Sequence, residues 1–257
     1  MKLTALVITK LMTAAVAAEA PWLTDESSLR GTEYRAGIAE LAGIVELVAK
    51  QDRLGEGPDV EAALLSGMLL FESRFQPYPK DGDCQQWHRL IDTPRGTWPK
   101  RYIPVMALRC SAIGPAQIGR GLPAWIRWMP DVTAWWASEP PLTIKRLRVP
   151  AINVTYQRDL LAHWKGTCGT AIPGYWMTAW GWGDCPHKKS PRVRPGYVDD
   201  EGRRRCAVAR AMLDWADATS DGWVCGHEKR KVDAFGQRFA KAISATKSTS
   251  TATVAMR

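Results

Sequence analysis

Apolar residues recur at helical spacing through the first part of the chain. Between residues 32 and 50 they return every three or four positions, which predicts an amphipathic helix. After a Gly and Pro break at 55–58, with Asp59 placed to cap, the stretch from Glu61 to Phe71 is apolar nearly all round. This pattern predicts a helix at the centre of the core, which ends at Glu72.

Further helices are predicted beyond a long irregular stretch. Residues 76–109 are rich in Pro, Gly and charge, which is typical of loops. Helical patterns then follow at 122–129, 132–138, 152–164, 175–182 and 202–217. In the helix predicted at 152–164, Val154, Leu160 and Leu161 are expected to pack inward. Strand-like alternation is scarce and no internal repeat is present, so the predicted class is mainly α.

The first 20 residues leave two interpretations open. An apolar run from Leu3 to Ala18 follows Met1-Lys2 and ends in Ala-Val-Ala-Ala, which fits a secretory signal peptide. Lys10 interrupts this run, however, and the alternative to the favoured signal peptide is an amphipathic first helix. The apolar face of that helix would be Leu3, Leu6, Val7, Leu11 and Ala14. No stretch predicts a transmembrane helix.

The six cysteines favour disulfides in an oxidising compartment, because their number is even and none forms a CxxC pair. Their spacing suggests local pairs, Cys84 with Cys110 and Cys168 with Cys185. A zinc site remains an alternative. Its ligands would come from Cys185, His187, Cys206, Cys225 and His227.

The net charge of +9 favours encounters with polyanions, such as nucleic acid or anionic cell-wall polymers. The basic residues cluster at 188–194, 203–205 and 229–231, and a solvated basic face explains them equally well. The 13 Trp lie mostly away from these clusters. Nucleic-acid-binding surfaces interleave aromatic and basic residues, so no specific nucleic-acid partner is expected.

Glu72 is the residue best placed for acid–base chemistry. A carboxyl group at the end of a buried helix loses water, and this desolvation raises its pKa by disfavouring the charged form. A general acid needs a raised pKa to protonate a leaving oxygen near neutral pH. The alternative is that Glu72 only marks the exposed end of a core helix.

Four short segments around Glu72 and downstream of it occur in a recognisable order. They are Leu-Leu-Phe-Glu72-Ser73-Arg-Phe, Ser111-Ala-Ile-Gly114-Pro-Ala-Gln117-Ile, Pro150-Ala-Ile-Asn153-Val and Ala179-Trp180-Gly181-Trp182-Gly183. This order resembles the soluble lytic transglycosylase family of the lysozyme-like superfamily, to which goose-type lysozymes are related. The resemblance covers about residues 35–186 and implies a helical lysozyme-like domain that cleaves peptidoglycan glycan strands.

The resemblance implies roles for individual residues. Glu72 would be the catalytic acid and base, Gln117 would hydrogen-bond the sugar, and Asn153 would brace the cleft. Gly114 would let the backbone pass close to the substrate. The implied substrate-binding set is Ser73, Ser111, Gly114, Gln117, Asn153, Trp180 and Trp182. No cofactor or metal is implied.

The chain departs from the family pattern at several points. Trp180 replaces the usual Tyr, so an indole N–H would replace its hydroxyl as donor to Glu72, and Trp182 adds an aromatic surface. Ser111-Ala112 replaces Gly-Ala, and a loop-rich insertion precedes Gly114. The family uses one carboxylate and gives 1,6-anhydro products. A second acid from Asp81, Asp83 or Asp92 would instead make a goose-type-like hydrolase.

The predicted organisation has four parts. Residues 1–20 form the signal peptide or first helix, and 30–186 form the lysozyme-like catalytic domain. Residues 187–244 form a basic helical extension, and 245–257 form a disordered tail. The expected location is extracytoplasmic, reached by a signal peptide or delivered by a phage particle. A non-catalytic peptidoglycan-binding component of a virion or envelope machine is the remaining alternative.

Overall fold

The helix that ends beside Glu72 lies at the centre of the molecule. The computed structural model describes residues 2–79, 112–119, 129–169, 172–182, 185, 200–218, 225 and 234–255. Its elements are α1 (Ala5–Glu19), a 3-10 turn (Pro21–Leu23), α2 (Leu29–Ala49), α3 (Pro58–Ser73), β1 (Ala112–Ile113), β2 (Ile118–Gly119), α4 (Pro130–Trp135), α5 (Ile144–Leu147), α6 (Pro150–Cys168), α7 (Pro173–Trp182), α8 (Asp200–Ala216) and α9 (Ala234–Ala255). The mainly α class is thereby confirmed.

α3 packs against α1, α2, α6 and α8. Every residue from Glu61 to Leu70 is buried, as the continuous apolar pattern predicts. The predicted cap at Asp59 is wrong, because Gly57 precedes the helix and Pro58 occupies its first position. A proline suits that position since its missing N–H would have no partner within the helix. The Asp59 carboxylate accepts a 2.8 Å hydrogen bond from the backbone N–H of Leu3 instead.

α1 is a packed helix that lies against α2 and α9. Its buried residues are Ile8, Leu11, Met12, Ala15 and Val16. The face predicted from sequence is therefore wrong at Leu6, which is 80% exposed. Two neighbouring helices select which face of α1 is buried, because most positions of α1 are apolar and could form such a face. The Glu46 carboxylate on α2 accepts a 2.6 Å hydrogen bond from the N–H of Ala5 and so holds the first turn.

One core spans both sides of the boundary predicted at residue 186. α8 packs against α3, α7 and α9, and α9 packs against α1. The disordered tail predicted from residue 245 is also corrected, since α9 continues to Ala255. Buried Phe239 and Ile243 anchor the first half of α9, and extending a helix that is already nucleated is much easier than starting one.

Two disulfides join described residues. The predicted Cys168–Cys185 bond is confirmed, with its Cα atoms 5.3 Å apart, and a second bond joins Cys206 to Cys225 across 5.5 Å. The zinc alternative is wrong, because three of its five ligands are in these disulfides. The proposed Cys84–Cys110 pair falls outside the described residues. Disulfides of this kind fit an oxidising compartment. Among the helices that the structure describes, none has the length and apolar content of a membrane span.

Candidate active site

Glu72 is the second-last residue of α3, next to a tightly closed helix end. The two residues after the helix, Arg74 and Phe75, have φ angles of 52° and 59°, in the left-handed region that side chains with a Cβ rarely adopt. Phe75 is completely buried, and its N–H donates to the Leu69 carbonyl at 3.2 Å. Backbone strain of this kind concentrates at functional sites. It is maintained here by the buried Phe75 ring.

Ser73 takes part in the same helix end. Its hydroxyl donates to the Leu69 carbonyl and accepts from the backbone N–H of Gln76, both at 3.2 Å. In the free protein this side chain therefore stabilises the turn after the helix. The predicted role of Ser73 in substrate binding stays a prediction.

The Glu72 carboxylate is paired with a guanidinium that the sequence analysis did not assign to the site. Glu72 Oε1 accepts a hydrogen bond from Nη2 of Arg205 on α8, and the two side chains are only 14% and 4% exposed. Nη1 of Arg205 also donates to the Met177 carbonyl on α7 at 3.3 Å. A neighbouring cation favours the ionised form of a carboxyl group, whereas burial disfavours it. Two opposing influences therefore act on Glu72, and the sequence-based expectation included only burial.

Trp180 on α7 lies beside this pair. The guanidinium carbon of Arg205 is 5.5 Å from the centre of the Trp180 ring, within the range of a cation–π contact. The indole N–H of Trp180 is buried and has no hydrogen-bond partner among the described residues. The expected N–H donation to Glu72 is thus not made in this structure, and Arg205 is the donor. Trp182 ends α7, and the placement of its side chain is not described.

The Gly114–Gln117 segment forms the tight turn of the β1–β2 hairpin, in which Ile113 pairs with Ile118. The backbone N–H and the side-chain Nε2 of Gln117 both donate to the Gly114 carbonyl, at 2.9 and 2.8 Å. Gln117 has a φ of 48°. Its side chain therefore lies over its own turn in the free protein. Its predicted contact with a sugar would require this hydrogen bond to be exchanged.

Asn153 holds the hairpin in place from the first turns of α6. Its buried side chain accepts from the N–H of Ala116 at 2.7 Å and donates to the carbonyls of Ile113 and Leu147 at 3.0 and 2.9 Å. A Cβ on Gly114 would lie 2.4 Å from the Asn153 amide nitrogen, and Gly114 has a φ of 70°. The glycine is therefore required by packing against Asn153, a reason that the sequence alone did not provide.

A cleft of about 200 Å³ lies between the segment that follows α3 and this hairpin. It is lined by Pro77, Tyr78, Pro79, Gly114 and Arg148. The Tyr78 side chain is largely exposed, and its hydroxyl donates to Glu40 at 2.8 Å. The cleft therefore brings the chain just after Glu72 and the Gly-x-x-Gln turn to one surface, with an aromatic ring and a cation on its walls.

A second buried charge cluster lies near the other end of α3. The Glu61 side chain is fully buried, with Oε2 accepting from the N–H of Leu54 at 3.0 Å and Oε1 4.0 Å from Nε of Arg158. Arg158 also pairs with Asp159 at 2.7 Å. Burial is the main cause that raises the pKa of Glu61 to about 7. A perturbed carboxyl can mark a functional site, but Glu61 has no exposed surface to offer a substrate.

The predicted site residues thus fall into two contact groups. One joins Glu72 to Trp180 through Arg205, and the other joins the hairpin to Asn153. Arg205 was overlooked because it was counted within a basic cluster. Its signal was its spacing, since it lies three and four residues before Val208 and Ala209, which are both buried. Ser111 and the candidate second acids Asp81, Asp83 and Asp92 lie beyond the described residues.

Within the described part of the chain, no group of His, Cys, Asp and Glu side chains is arranged to hold a metal ion. No protein-family model, no curated protein and no solved structure matches the chain.

Proposed function

We propose that this protein is a peptidoglycan lytic transglycosylase that cleaves the β-1,4 bond between N-acetylmuramic acid and N-acetylglucosamine. Glu72 is its catalytic acid and base. The resemblance described above suggests this activity, and the contacts around two of the four motif segments support it. An extracytoplasmic location agrees with the disulfides, and the net charge of +9 suits anionic cell-wall polymers.

The observation that carries the proposal is the set of hydrogen bonds made by Asn153. This side chain bonds to the backbone of the hairpin at Ala116 in the Gly-x-x-Gln turn and at Ile113 just before it, up to 40 residues away in sequence. Two motif segments that were recognised only by their order along the chain are therefore in direct contact. Chance matches to short motifs would have no reason to meet in this way.

The position of Glu72 supports the same proposal. Its carboxyl group is mostly buried yet keeps 14% of its side chain exposed, and the chain leads from it in a few residues to the cleft at Pro77 and Tyr78. A general acid needs limited hydration together with some exposed surface. Glu61 is also buried but has no such access.

The proposed reaction needs one carboxyl group and no water. Protonated Glu72 donates its proton to the glycosidic oxygen as the bond to the muramoyl C1 breaks, with assistance from the N-acetyl group of the same sugar. The resulting carboxylate then takes the proton of the 6-hydroxyl while the oxygen of that hydroxyl bonds to C1. The product is a 1,6-anhydromuramoyl end, and Glu72 is protonated again for the next cycle.

The test is mass spectrometry of soluble fragments after purified peptidoglycan is incubated with wild type, Glu72→Gln and Glu139→Gln. Glu139 is a surface residue with 52% of its side chain exposed, paired with Arg146, and serves as the matched control. We expect anhydro-muropeptides from wild type and Glu139→Gln, and a loss of at least about 100-fold in Glu72→Gln, since general acid catalysis contributes about 10²–10⁴-fold.

Other outcomes would refute the proposal in different ways. Fragments with reducing ends would identify a hydrolase and would direct attention to Asp81, Asp83 and Asp92. No fragments from folded wild type, together with retention on sedimented peptidoglycan, would identify a binding component. Equal release by wild type and Glu72→Gln would remove Glu72 from the mechanism.

A further inference from the structure

We propose that Arg205 is a positioning residue for Glu72. Helix α8, which lies outside the segment that resembles the transglycosylases, would thus supply the group that orients the catalytic carboxylate and stabilises its ionised form. The inference rests on the proposed function for the catalytic role of Glu72, and it concerns how this chain controls that residue.

The first support is the close approach of α8 to α3. A Cβ on Gly67 of α3 would lie 2.5 Å from the carbonyl oxygen of Arg205, so the two backbones are in direct contact there. Glu72 follows Gly67 by five residues, about 7 Å along the helix axis. The Arg205 side chain covers this distance and reaches the carboxylate. A larger residue at position 67 would push Arg205 away from Glu72.

The second support is that the guanidinium has partners besides Glu72. The Met177 carbonyl accepts from Nη1 at 3.3 Å, and the Trp180 ring lies 5.5 Å from the guanidinium carbon. Both belong to α7, which carries the last motif segment. A planar guanidinium can bond two acceptors and contact a ring at the same time, whereas an ammonium group offers a single point charge. The site therefore selects arginine.

The third support is the covalent attachment of the next residue. Cys206 is completely buried and is bonded to Cys225. This bond restrains the turn of α8 from which the Arg205 side chain leaves. The contact with Gly67 and the disulfide thus restrain the backbone of Arg205, and the contacts with α7 restrain its guanidinium group.

The consequence for catalysis has two opposite parts. A guanidinium beside Glu72 favours the carboxylate, which decreases the fraction of molecules that hold the catalytic proton as the pH rises. The same cation stabilises the negative charge that develops on Glu72 as it donates that proton, so each protonated molecule reacts faster. Removal of the cation should therefore lower the maximal rate and extend activity to higher pH. A purely structural arginine would lower the rate without moving the pH profile.

The experiment measures the ionisation of Glu72 and the reaction separately. The Glu72 carboxyl carbon, assigned by its absence from Glu72→Gln, is titrated by ¹³C NMR in glutamate-labelled full-length protein. The variants are Arg205→Met, Arg205→Lys and, as a matched control, Arg210→Met. Arg210 lies on the same helix but is exposed and pairs only loosely with Asp214 at 4.0 Å. The pH dependence of anhydro-muropeptide release is measured on the same proteins.

We expect the Glu72 midpoint to rise by at least about one pH unit in Arg205→Met. It should stay near that of wild type in Arg205→Lys and Arg210→Met. Release by Arg205→Met should have a lower maximum and persist to higher pH. If this variant does not fold, Arg205→Gln is held to the same criterion. An unchanged midpoint would overturn the inference. Absence of anhydro products from wild type would overturn the proposed function, while the titration would still decide whether Arg205 controls Glu72.

Discussion

Glu61 is expected to make the protein less stable as the pH rises through the neutral range. Its side chain is fully buried, and its Oε1 has no hydrogen-bond partner in the part of the chain that the structure describes. Burial raises the pKa of Glu61 to about 7 from its ordinary value of 4.5, against smaller opposing contributions from the Leu54 N–H and from Arg158. The folded protein therefore holds this proton more tightly than the unfolded chain does.

Proton linkage gives the sign and the size of this change in stability with pH. Below about pH 4.5 both states are protonated, and the full stability is present. As the pH rises, the unfolded chain ionises first, and stability decreases until the folded state ionises near pH 7. The pKa difference, from 4.5 to about 7, corresponds to about 3 kcal/mol at about 1.4 kcal/mol per pH unit.

Glu61→Gln isolates this contribution. An amide oxygen can still accept from the Leu54 N–H, and Arg158 keeps its bonds to Asp159 and to Gln51 Oε1, the latter at 2.6 Å. Urea unfolding of wild type and Glu61→Gln at several pH values between about 4 and 8 should give a difference in the free energy of unfolding that moves in favour of the variant by about 2–3 kcal/mol.

Glu33→Gln, on the exposed side of α2, is the control and should show no comparable trend. Burial also raises the pKa of Asp159, but this residue is present in both proteins and its effect cancels in the comparison. A constant difference between wild type and Glu61→Gln across the whole range would refute the reasoning.

Three further predictions concern the hairpin and α8. Gly114→Ala should destabilise the protein by at least about 2 kcal/mol in thermal unfolding, because its Cβ would meet Asn153 at 2.4 Å and its φ is 70°. Gly43→Ala has open space within α2 and should stabilise by about 0.5–1 kcal/mol; equal effects of the two changes would contradict the packing argument. Asn153→Ala should cost roughly 3 kcal/mol for three lost hydrogen bonds and should lessen the penalty of Gly114→Ala in the double variant, whereas additive penalties would show that the two residues do not interact. Paired replacement of Cys206 and Cys225 by serine should cost about 3 kcal/mol, since the bond spans 19 residues, and unchanged unfolding curves would argue against that disulfide.

The sequence predicted those features that depend on patterns within a short stretch of the chain. The dense apolar run before Glu72 indicated a central helix that ends at a carboxyl group, and spacing alone indicated the Cys168–Cys185 bond. Asn153 was expected to brace the cleft, and its side chain holds the hairpin through three hydrogen bonds. These features depend on periodicity and on short motifs, which are visible along the chain.

The sequence by itself determined the mainly α class and the central position of α3, because apolar periodicity is a local property, and its short motifs indicated Glu72 as the candidate acid. Only the tertiary structure decided which face of α1 is buried, why position 114 must be glycine and which cation faces Glu72. Arg205 is 133 residues from Glu72 in sequence. Their pairing depends on how closely α8 can approach α3 at Gly67, and such contacts arise from the packing of whole helices rather than from any pattern along one of them.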